Sequence, residues 1–167
     1  MKKILLLFSV AGLLTLTGCN SNDDDVVVDT RNESFVVGPI SFANDITQYV
    51  YPINPVLGTY DTLLIYRLTG NNHNPNASDA TWELVPSTYK FNNGAELNYN
   101  TDFNTSSIAF YLDANFDLAT VSDYALNQYY RIVIIKNYDN SAKIDVRDYN
   151  SVVKMFDVVE STTRAAK

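Results

Sequence analysis

Short apolar runs separated by clusters of Asn, Asp, Gly and Pro follow one another from Ser34 onward. The clearest pattern spans Ala95–Phe103, where apolar and aromatic residues alternate with polar ones. Alternation with a period of two predicts a half-buried β-strand. Runs of the same kind predict further strands at Ser34–Val37, Gln48–Ile53, Tyr60–Leu68, Thr81–Val85, Tyr89–Phe91, Ser107–Leu112 and Tyr129–Lys136.

Two of these strands can be placed within a sheet. The run Ile132-Val133-Ile134-Ile135 is apolar on both faces, which predicts a central strand covered on both sides. Pro52 and Pro55 place the strand Gln48–Ile53 at an edge, because proline cannot donate a hydrogen bond to a neighbouring strand. The Asn92-Asn93-Gly94 segment predicts a turn before the next strand.

The period changes near the C-terminus. Tyr149, Val152, Val153 and Phe156 have helical spacing, and Asp145 or Asp148 can cap the helix. We therefore expect a short C-terminal helix, with a final strand as the alternative. Closely spaced strands predict a mainly β fold, an antiparallel β-sandwich that is immunoglobulin-like in architecture.

The N-terminus is typical of a secretory signal peptide. Lys2 and Lys3 precede the apolar run 4–16, and the small residue Gly18 stands directly before Cys19. The apolar run is shorter than the roughly 20 residues that span a membrane as a helix. We expect a signal peptide over residues 1–18.

Leu16-Thr17-Gly18-Cys19 resembles the bacterial lipobox, in which the cysteine receives a diacylglycerol before cleavage and is then acylated on its amine. The resemblance implies lipidation of Cys19 and acyl chains inserted into outer-membrane lipid. Two or three chains make such an attachment stable. A structural or redox role for this single cysteine is the alternative.

The residues after Cys19 are polar and acidic. Ser21, Asn22, Asp23, Asp24 and Asp25 resemble the export signal of surface lipoproteins in the Bacteroidota, which implies display on the cell surface. They also suit a solvated tether, because such residues cannot bury enough surface to become ordered. Both interpretations can hold together.

Length and charge limit the remaining choices. The 167 residues, with a formal net charge of −7, suffice for one domain and make nucleic acid a poor partner. The 12 Tyr and 8 Phe favour strands. We expect a flexible acidic tether over 19–33, a single β-sandwich domain over 34–160 and a disordered tail over 161–167.

Several segments between about residues 60 and 156 resemble small flavobacterial lipoproteins of unknown function. The similar segments are Tyr60–Leu68, Trp82–Pro86, Asp113–Leu118, Tyr130–Ile134 and Asp148-Tyr149. Some of those lipoproteins carry collagen-like Gly repeats behind the cysteine, which this chain lacks. The resemblance implies location and a β-rich fold, and it implies no activity.

The chain is poorly equipped for catalysis. His73 is the single histidine and lies in an Asn- and Pro-rich loop, so we expect a solvated loop residue. One histidine and a lipidated cysteine also make a poor zinc site. Glu96 and Asp102 share a strand face but lie roughly 20 Å apart at about 3.3 Å per residue, and Glu83 approaches either one only through strand pairing. We expect no enzyme, with a carboxylate-based hydrolase as the least favoured alternative.

Calcium is the metal that the sequence suits best. Asp113-x-Asn115-x-Asp117 copies the first three ligand positions of a calcium loop. The sharp-turn glycine and the glutamate at position twelve are replaced by Leu118 and Tyr124. The loop is therefore not an EF-hand. It predicts either a looser calcium site, with Asp123 as a further ligand, or an ordinary Asx-rich turn.

Asp61-Thr62-Leu63 resembles the acceptor motif of O-glycosylation in Bacteroidota. The resemblance implies a glycan on Thr62. A chance match within a strand is the alternative, because three residues specify little.

Two functions remain for a lipid-anchored protein of the outer membrane, exposed at the cell surface. The first is a non-enzymatic binding or adhesion module for a glycan or a protein partner, in which the many Tyr and Asn residues supply stacking faces and amide hydrogen bonds. The second is a structural or accessory subunit of an outer-membrane assembly.

Overall fold

The computed structural model describes residues 30–70, 73–137 and 143–161. These residues form two β-sheets that pack around a shared apolar core. The strands in chain order are β1 (Glu33–Ile40), β2 (Gln48–Pro52), β3 (Thr62–Thr69), β4 (Thr81–Leu84), β5 (Ser87–Lys90), β6 (Glu96–Phe103), β7 (Ser107–Ala114), β8 (Gln128–Ile135) and β9 (Val159–Glu160). The expected mainly β, sandwich-like fold is confirmed; an immunoglobulin-like architecture stays a prediction.

The first sheet has the order β4-β3-β8-β1-β9, with a parallel pair between β1 and β9 and antiparallel pairs elsewhere. Strand β8 is central, as its apolar residues on both faces predict. Ile132 and Ile134 pack against the second sheet, while Val133 and Ile135 pack on the opposite side. The first sheet is therefore covered on both faces.

The outer cover includes a helix. Helix α2 (Tyr149–Met155) buries Val152 against Val133 and Ile135. The Asp148 side chain accepts a hydrogen bond from the Ser151 backbone amide and caps the helix. The expected C-terminal helix is confirmed, and the two-residue strand β9 follows it.

Two short helices join β7 to β8, a 3-10 helix at Leu118–Val121 and α1 at Ser122–Ala125. Within the described residues, no helix combines the length and apolar character needed to cross a membrane.

The second sheet has the order β2-β7-β6-β5. Its inward residues, such as Leu97 and Tyr99, are fully buried. Strand β2 is an edge strand, as its prolines predict. The predicted turn at Asn92-Asn93-Gly94 joins β5 to β6, and the positive φ of Gly94 explains the glycine there.

Strand β1 continues past the predicted end at Val37 through a bulge. Gly38 has a φ of 137°, and a Cβ there would lie 2.7 Å from the Gln128 carbonyl oxygen. Glycine is therefore required where β1 approaches β8.

The domain starts within the range that we expected for the tether. Asn32 donates a side-chain hydrogen bond of 2.6 Å to the Phe156 carbonyl, and Glu33 is buried in β1. At the other end, Ser161 is buried, and its amide donates a 2.7 Å hydrogen bond to Ser34. Strand pairing thus extends the domain beyond the predicted 34–160, while residues 162–167 lie outside the described residues.

Candidate functional site

The predicted anchor and export signal cannot be placed in the fold. Cys19, Ser21, Asn22, Asp23, Asp24 and Asp25 lie outside the described residues. Their roles stay predictions.

In the loop predicted to bind calcium, Asn115 and Asp117 use side-chain oxygens for hydrogen bonds within the fold. Asn115 Oδ1 accepts from the Glu96 amide at 2.8 Å. Asp117 Oδ1 accepts from Asn44 Nδ2 at 2.6 Å and from the Ala119 amide at 2.9 Å. Both hydrogen bonds lower the pKa of Asp117, and the bond from Asn44 contributes more than the bond from Ala119. This geometry favours the Asx-rich turn.

Asp113, at the end of β7, is exposed and pairs through its backbone with Asn98. Across residues 30–70, 73–137 and 143–161, no three His, Cys, Asp or Glu residues come together as a metal site.

The predicted glycosylation motif is held tightly at the start of β3. Thr62 is half-buried and pairs with Ile135. The Asp61 carboxylate accepts from Lys136 Nζ at 2.7 Å and from the Gly58 amide at 2.8 Å. Glycosylation of Thr62 stays a prediction. Its acidic neighbour, Asp61, forms an ion pair with Lys136.

The carboxylates considered for hydrolysis are distributed over both sheets. Glu96 forms an ion pair with Lys90 at 2.9 Å, and Asp102 is exposed near the end of β6. Glu83 lies on β4 of the other sheet, where it pairs with Arg67 at 3.5 Å.

His73 lies in a loop, as expected, and it also lines a pocket. It is half-buried, and its backbone has a positive φ of 38°. The pocket has a volume of about 280 Å³, and we call it the Arg67 pocket; its lining residues are Arg67, Gly70, His73, Tyr89, Asp123 and Tyr124.

Arg67 lies below this pocket because of the alternation along β3. Leu63 and Ile65 point into the core between the sheets, and Arg67 occupies the next position of the same face. It is 4% exposed. The sequence carries a signal for this site, because an arginine stands at an inward position of an otherwise apolar strand face. The prediction of the strand did not use that signal.

Side chains from four strands of the two sheets surround the Arg67 guanidinium. It lies over the rings of Tyr99 and Tyr89, with its carbon 4.1 Å and 4.9 Å from their centroids. Nη2 donates to Glu83 and to the Tyr89 hydroxyl, while Nη1 donates to Gln128 Oε1 at 3.1 Å and to the Leu68 carbonyl at 3.3 Å. Each terminal nitrogen therefore already has two acceptors.

The tyrosines of this network remain protonated. Burial raises the pKa of Tyr89 to about 12, and its 2.6 Å hydrogen bond to Glu83 adds to the rise. Burial also raises the pKa of Tyr99 and of Tyr130. The Tyr89 and Tyr99 hydroxyls are therefore neutral hydrogen-bonding groups at neutral pH, and the buried Tyr130 hydroxyl is neutral and has no hydrogen-bond partner among the described residues.

The tautomer of neutral His73 follows from its partner. Nδ1 lies 3.2 Å from the Asn127 carbonyl oxygen. Because a carbonyl only accepts, Nδ1 carries the proton and Nε2 keeps a lone pair. His73 and Asn127 both have positive φ, a conformation uncommon outside glycine that can mark functional sites.

A second arginine lies on the opposite face of the same sheet. Arg131 of β8 pairs with Tyr66 of β3 and faces the side covered by α2. Beside it is a cleft of about 400 Å³, the Arg131 cleft, which is lined by Pro75, Asn76, Ala77, Ser78, Ala80, Trp82, Arg131, Tyr149, Asn150 and Glu160.

The many tyrosines do not form an exposed stacking surface. Tyr49 and Tyr60 are the exposed tyrosines of the part of the chain that the structure describes, at 43% and 77%. They lie in β2 and in the segment before β3, without a ring contact between them. The other described tyrosines are buried or half-buried.

The chain was compared with known proteins in three ways. No protein-family model matches it, and no curated protein and no solved structure is significantly similar to it.

Proposed function

We propose that the protein is a lipid-anchored binding module at the surface of the outer membrane, which holds a sugar unit of a glycan in the Arg67 pocket. The observation that carries the proposal is the pocket's lining, which combines the buried Arg67 with Tyr89, Tyr124, His73 and Asp123. Glycan binding and the membrane anchor are separate parts of the proposal and have separate tests.

The chemistry of the lining suits a sugar. Aromatic rings can offer an apolar face to the C–H groups of a sugar ring. Tyr124 also brings a hydroxyl to the lining, whereas the Tyr89 proton is already donated to Glu83. Asp123 and the Nε2 lone pair of His73 can accept from sugar hydroxyls. The volume of about 280 Å³ is at the small end of ligand pockets, which suits a single sugar unit.

The charges of the lining favour a neutral ligand. Glu83 compensates Arg67, and both terminal nitrogens of Arg67 already have their acceptors. Asp123 adds an exposed carboxylate. An anionic ligand would therefore meet the Asp123 carboxylate, while both terminal nitrogens of Arg67 are engaged and its unpartnered Nε is buried.

Binding is a better proposal than hydrolysis for this pocket. Of the described residues that line it, Asp123 is the one carboxylate. Glycoside hydrolysis commonly uses two carboxyl groups about 5–9.5 Å apart. Glu83, the nearest other carboxylate in the network, is bound to Tyr89 and Arg67.

A role as an accessory subunit is the second candidate, and edge strand β2 favours it. Val50 is 52% exposed and Tyr49 is 43% exposed on this edge of the second sheet. An exposed strand edge with apolar side chains can pair with another chain. Recovery of the protein in a stable outer-membrane complex that Val50→Lys disrupts would favour this role.

The glycan proposal is tested with an array of neutral and acidic oligosaccharides and the purified full chain. We expect binding to neutral glycans, and its loss in Asp123→Asn, which removes the charged acceptor with little change in shape. Asp113→Asn is the matched control, because Asp113 is also exposed but lies on the second sheet, outside the lining of the pocket. Equal binding by Asp123→Asn and the wild type would contradict the proposal.

The anchor has its own test. Labelled palmitate is expected to enter the wild type in its native cells and not Cys19→Ala. Label that persists in Cys19→Ala would contradict lipidation at this residue.

A further inference from the structure

We propose that the Arg131 cleft is a second binding site, which takes the carboxylate of an acidic sugar. The site lies on the opposite face of the first sheet from the Arg67 pocket. It has its own lining, so it does not depend on whether the Arg67 pocket binds a glycan.

Aromatic rings fix the plane of the Arg131 guanidinium. Its carbon lies 4.8 Å from the Trp82 ring centroid and 5.7 Å from that of Tyr149. The Trp82 and Tyr149 rings also contact each other, with centroids 6.1 Å apart. A guanidinium held in one orientation loses less entropy when it binds a ligand.

The hydrogen bonds of Arg131 leave donors for a ligand. Nη1 donates to the Tyr149 hydroxyl at 3.0 Å, and Nη2 donates to the Pro75 carbonyl at 3.3 Å. Each terminal nitrogen carries two N–H groups, so each keeps one. Two neighbouring N–H donors are what a carboxylate needs for a two-point contact.

The charge of Arg131 has no carboxylate partner within residues 30–70, 73–137 and 143–161. Its Nε is buried without a hydrogen-bond partner. A part-buried guanidinium without a counter-ion attracts an anion more strongly than one in an ion pair. A carboxylate ligand would supply the missing negative charge.

The remaining lining suits the hydroxyl groups of a sugar. Asn76, Ser78 and Asn150 offer amide and hydroxyl groups that both donate and accept. Glu160 is exposed at the edge of the cleft and forms no ion pair with Arg131. It can accept from a sugar hydroxyl but repels a carboxylate, so its charge opposes that of Arg131.

The chain has a single tryptophan, and it lines this cleft, so its fluorescence reports on this site. The experiment titrates the purified full chain with D-glucuronate and with D-glucose, which differ by one carboxylate. We expect glucuronate to change Trp82 fluorescence in a saturable way and to bind at least about tenfold more tightly than glucose, since a charge-assisted contact contributes that much. Equal responses to the two sugars, or no response to glucuronate, would overturn the proposal.

Three substitutions distinguish charge from packing. Arg131→Gln should lower glucuronate affinity at least about tenfold, and Arg131→Lys should restore part of it, because lysine keeps the charge and loses the planar pair of donors. Glu160→Gln should raise the affinity, because it removes the repelling charge.

Arg147→Gln is the matched control, since it removes an exposed arginine outside the cleft. Circular dichroism checks that each variant is folded. If Arg131→Gln misfolds, the Glu160→Gln result decides: unchanged or lower affinity for glucuronate would overturn the proposal.

Discussion

Each face of the first sheet carries one Tyr-Arg pair, whose two residues lie opposite each other on the neighbouring strands β3 and β8. Arg67 of β3 pairs with Tyr130 of β8, and Arg131 of β8 pairs with Tyr66 of β3. Arg67 is buried and compensated by Glu83. Arg131 is half-buried and stacked on Trp82, without a described carboxylate partner. The chain thus contains the dipeptide Tyr-Arg twice, as Tyr66-Arg67 and Tyr130-Arg131, and the two arginines lie in environments of different charge.

The difference follows from what each face packs against. Arg67 lies between two sheets, where an uncompensated charge would be strongly destabilising, so Glu83, Gln128 and Tyr89 surround it. Arg131 lies at the margin of the cover formed by α2, where solvent reaches one side of the cleft. An inward arginine therefore needs a protein partner, while one at a margin can keep donors for a ligand.

The largest expected effect comes from removing the carboxylate partner of Arg67. Glu83→Gln leaves a buried guanidinium without its counter-ion and should lower the free energy of unfolding by about 2–3 kcal/mol. This is less than the 3–5 kcal/mol typical of a fully buried pair, because the Glu83 side chain is 41% exposed. Urea unfolding measures the change.

Glu160→Gln is the matched change on the other face. It should alter the free energy of unfolding by less than about 0.5 kcal/mol, because Glu160 is exposed and forms no ion pair with Arg131. Equal losses in the two variants would contradict the difference between the two arginines.

Alkaline pH should destabilise the fold through buried tyrosines on both faces of the first sheet. Burial raises the pKa of Tyr89, Tyr99 and Tyr130 around Arg67, and that of Tyr66 on the face of Arg131. A raised pKa in the folded state means that stability is fully present below pH 10, the ordinary tyrosine value. Stability is then lost as pH rises toward 12, because the unfolded chain releases these protons first.

Urea unfolding at a series of pH values, together with absorbance at the tyrosinate band, tests this loss. Tyr89→Phe should lessen the dependence of stability on pH between 10 and 12. Tyr60→Phe is the control, since Tyr60 is 77% exposed. Identical pH dependence in both variants would show that Tyr89 does not contribute.

A smaller effect is expected from the hydroxyl that orients Arg131. Tyr149→Phe keeps the ring contacts but removes the acceptor of the 3.0 Å hydrogen bond from Nη1. Stability should fall by about 1 kcal/mol, the typical net contribution of one hydrogen bond. Thermal unfolding measures it, and an unchanged or higher Tm would argue that this bond does not orient the guanidinium.

The smallest effects concern the helix caps near each site. Hydrogen bonds from Ser151 lower the pKa of Asp148, which caps α2, and one from Asn44 lowers that of Asp117, which caps the 3-10 helix. A lowered pKa gives stability that is present above the unfolded value and lost as pH falls through the folded value. Asp148→Ala and Asp117→Ala should each lower Tm slightly at neutral pH, with a smaller difference from the wild type in acid.

Strand periodicity predicted most of the fold. The alternation in Ala95–Phe103, the doubly apolar β8 and the helical spacing after Asp148 each reflect local side-chain direction, which sequence reveals. The bulge at Gly38 and the start of the domain near Asn32 depend on contacts with distant residues. Those boundaries could not be read from local patterns.

The two sites were not predicted, because their residues meet only through strand pairing. Tyr89 and Tyr124 lie on β5 and α1, yet their ring centroids are 5.5 Å apart. Arg67 carried a signal, as an arginine at an inward position of β3. The calcium motif had the correct spacing, but its hydrogen bonds with the backbone favour the turn interpretation.

Mapping of amide chemical shifts with the two matched sugars tests the account most directly. With the full chain, a neutral sugar should shift His73, Tyr89, Asp123 and Tyr124, whereas D-glucuronate should shift Asn76, Trp82, Arg131 and Asn150. Shifts of the same residues by both sugars, or shifts confined to residues outside the two linings, would contradict the assignment of two sites by the charge of their arginines.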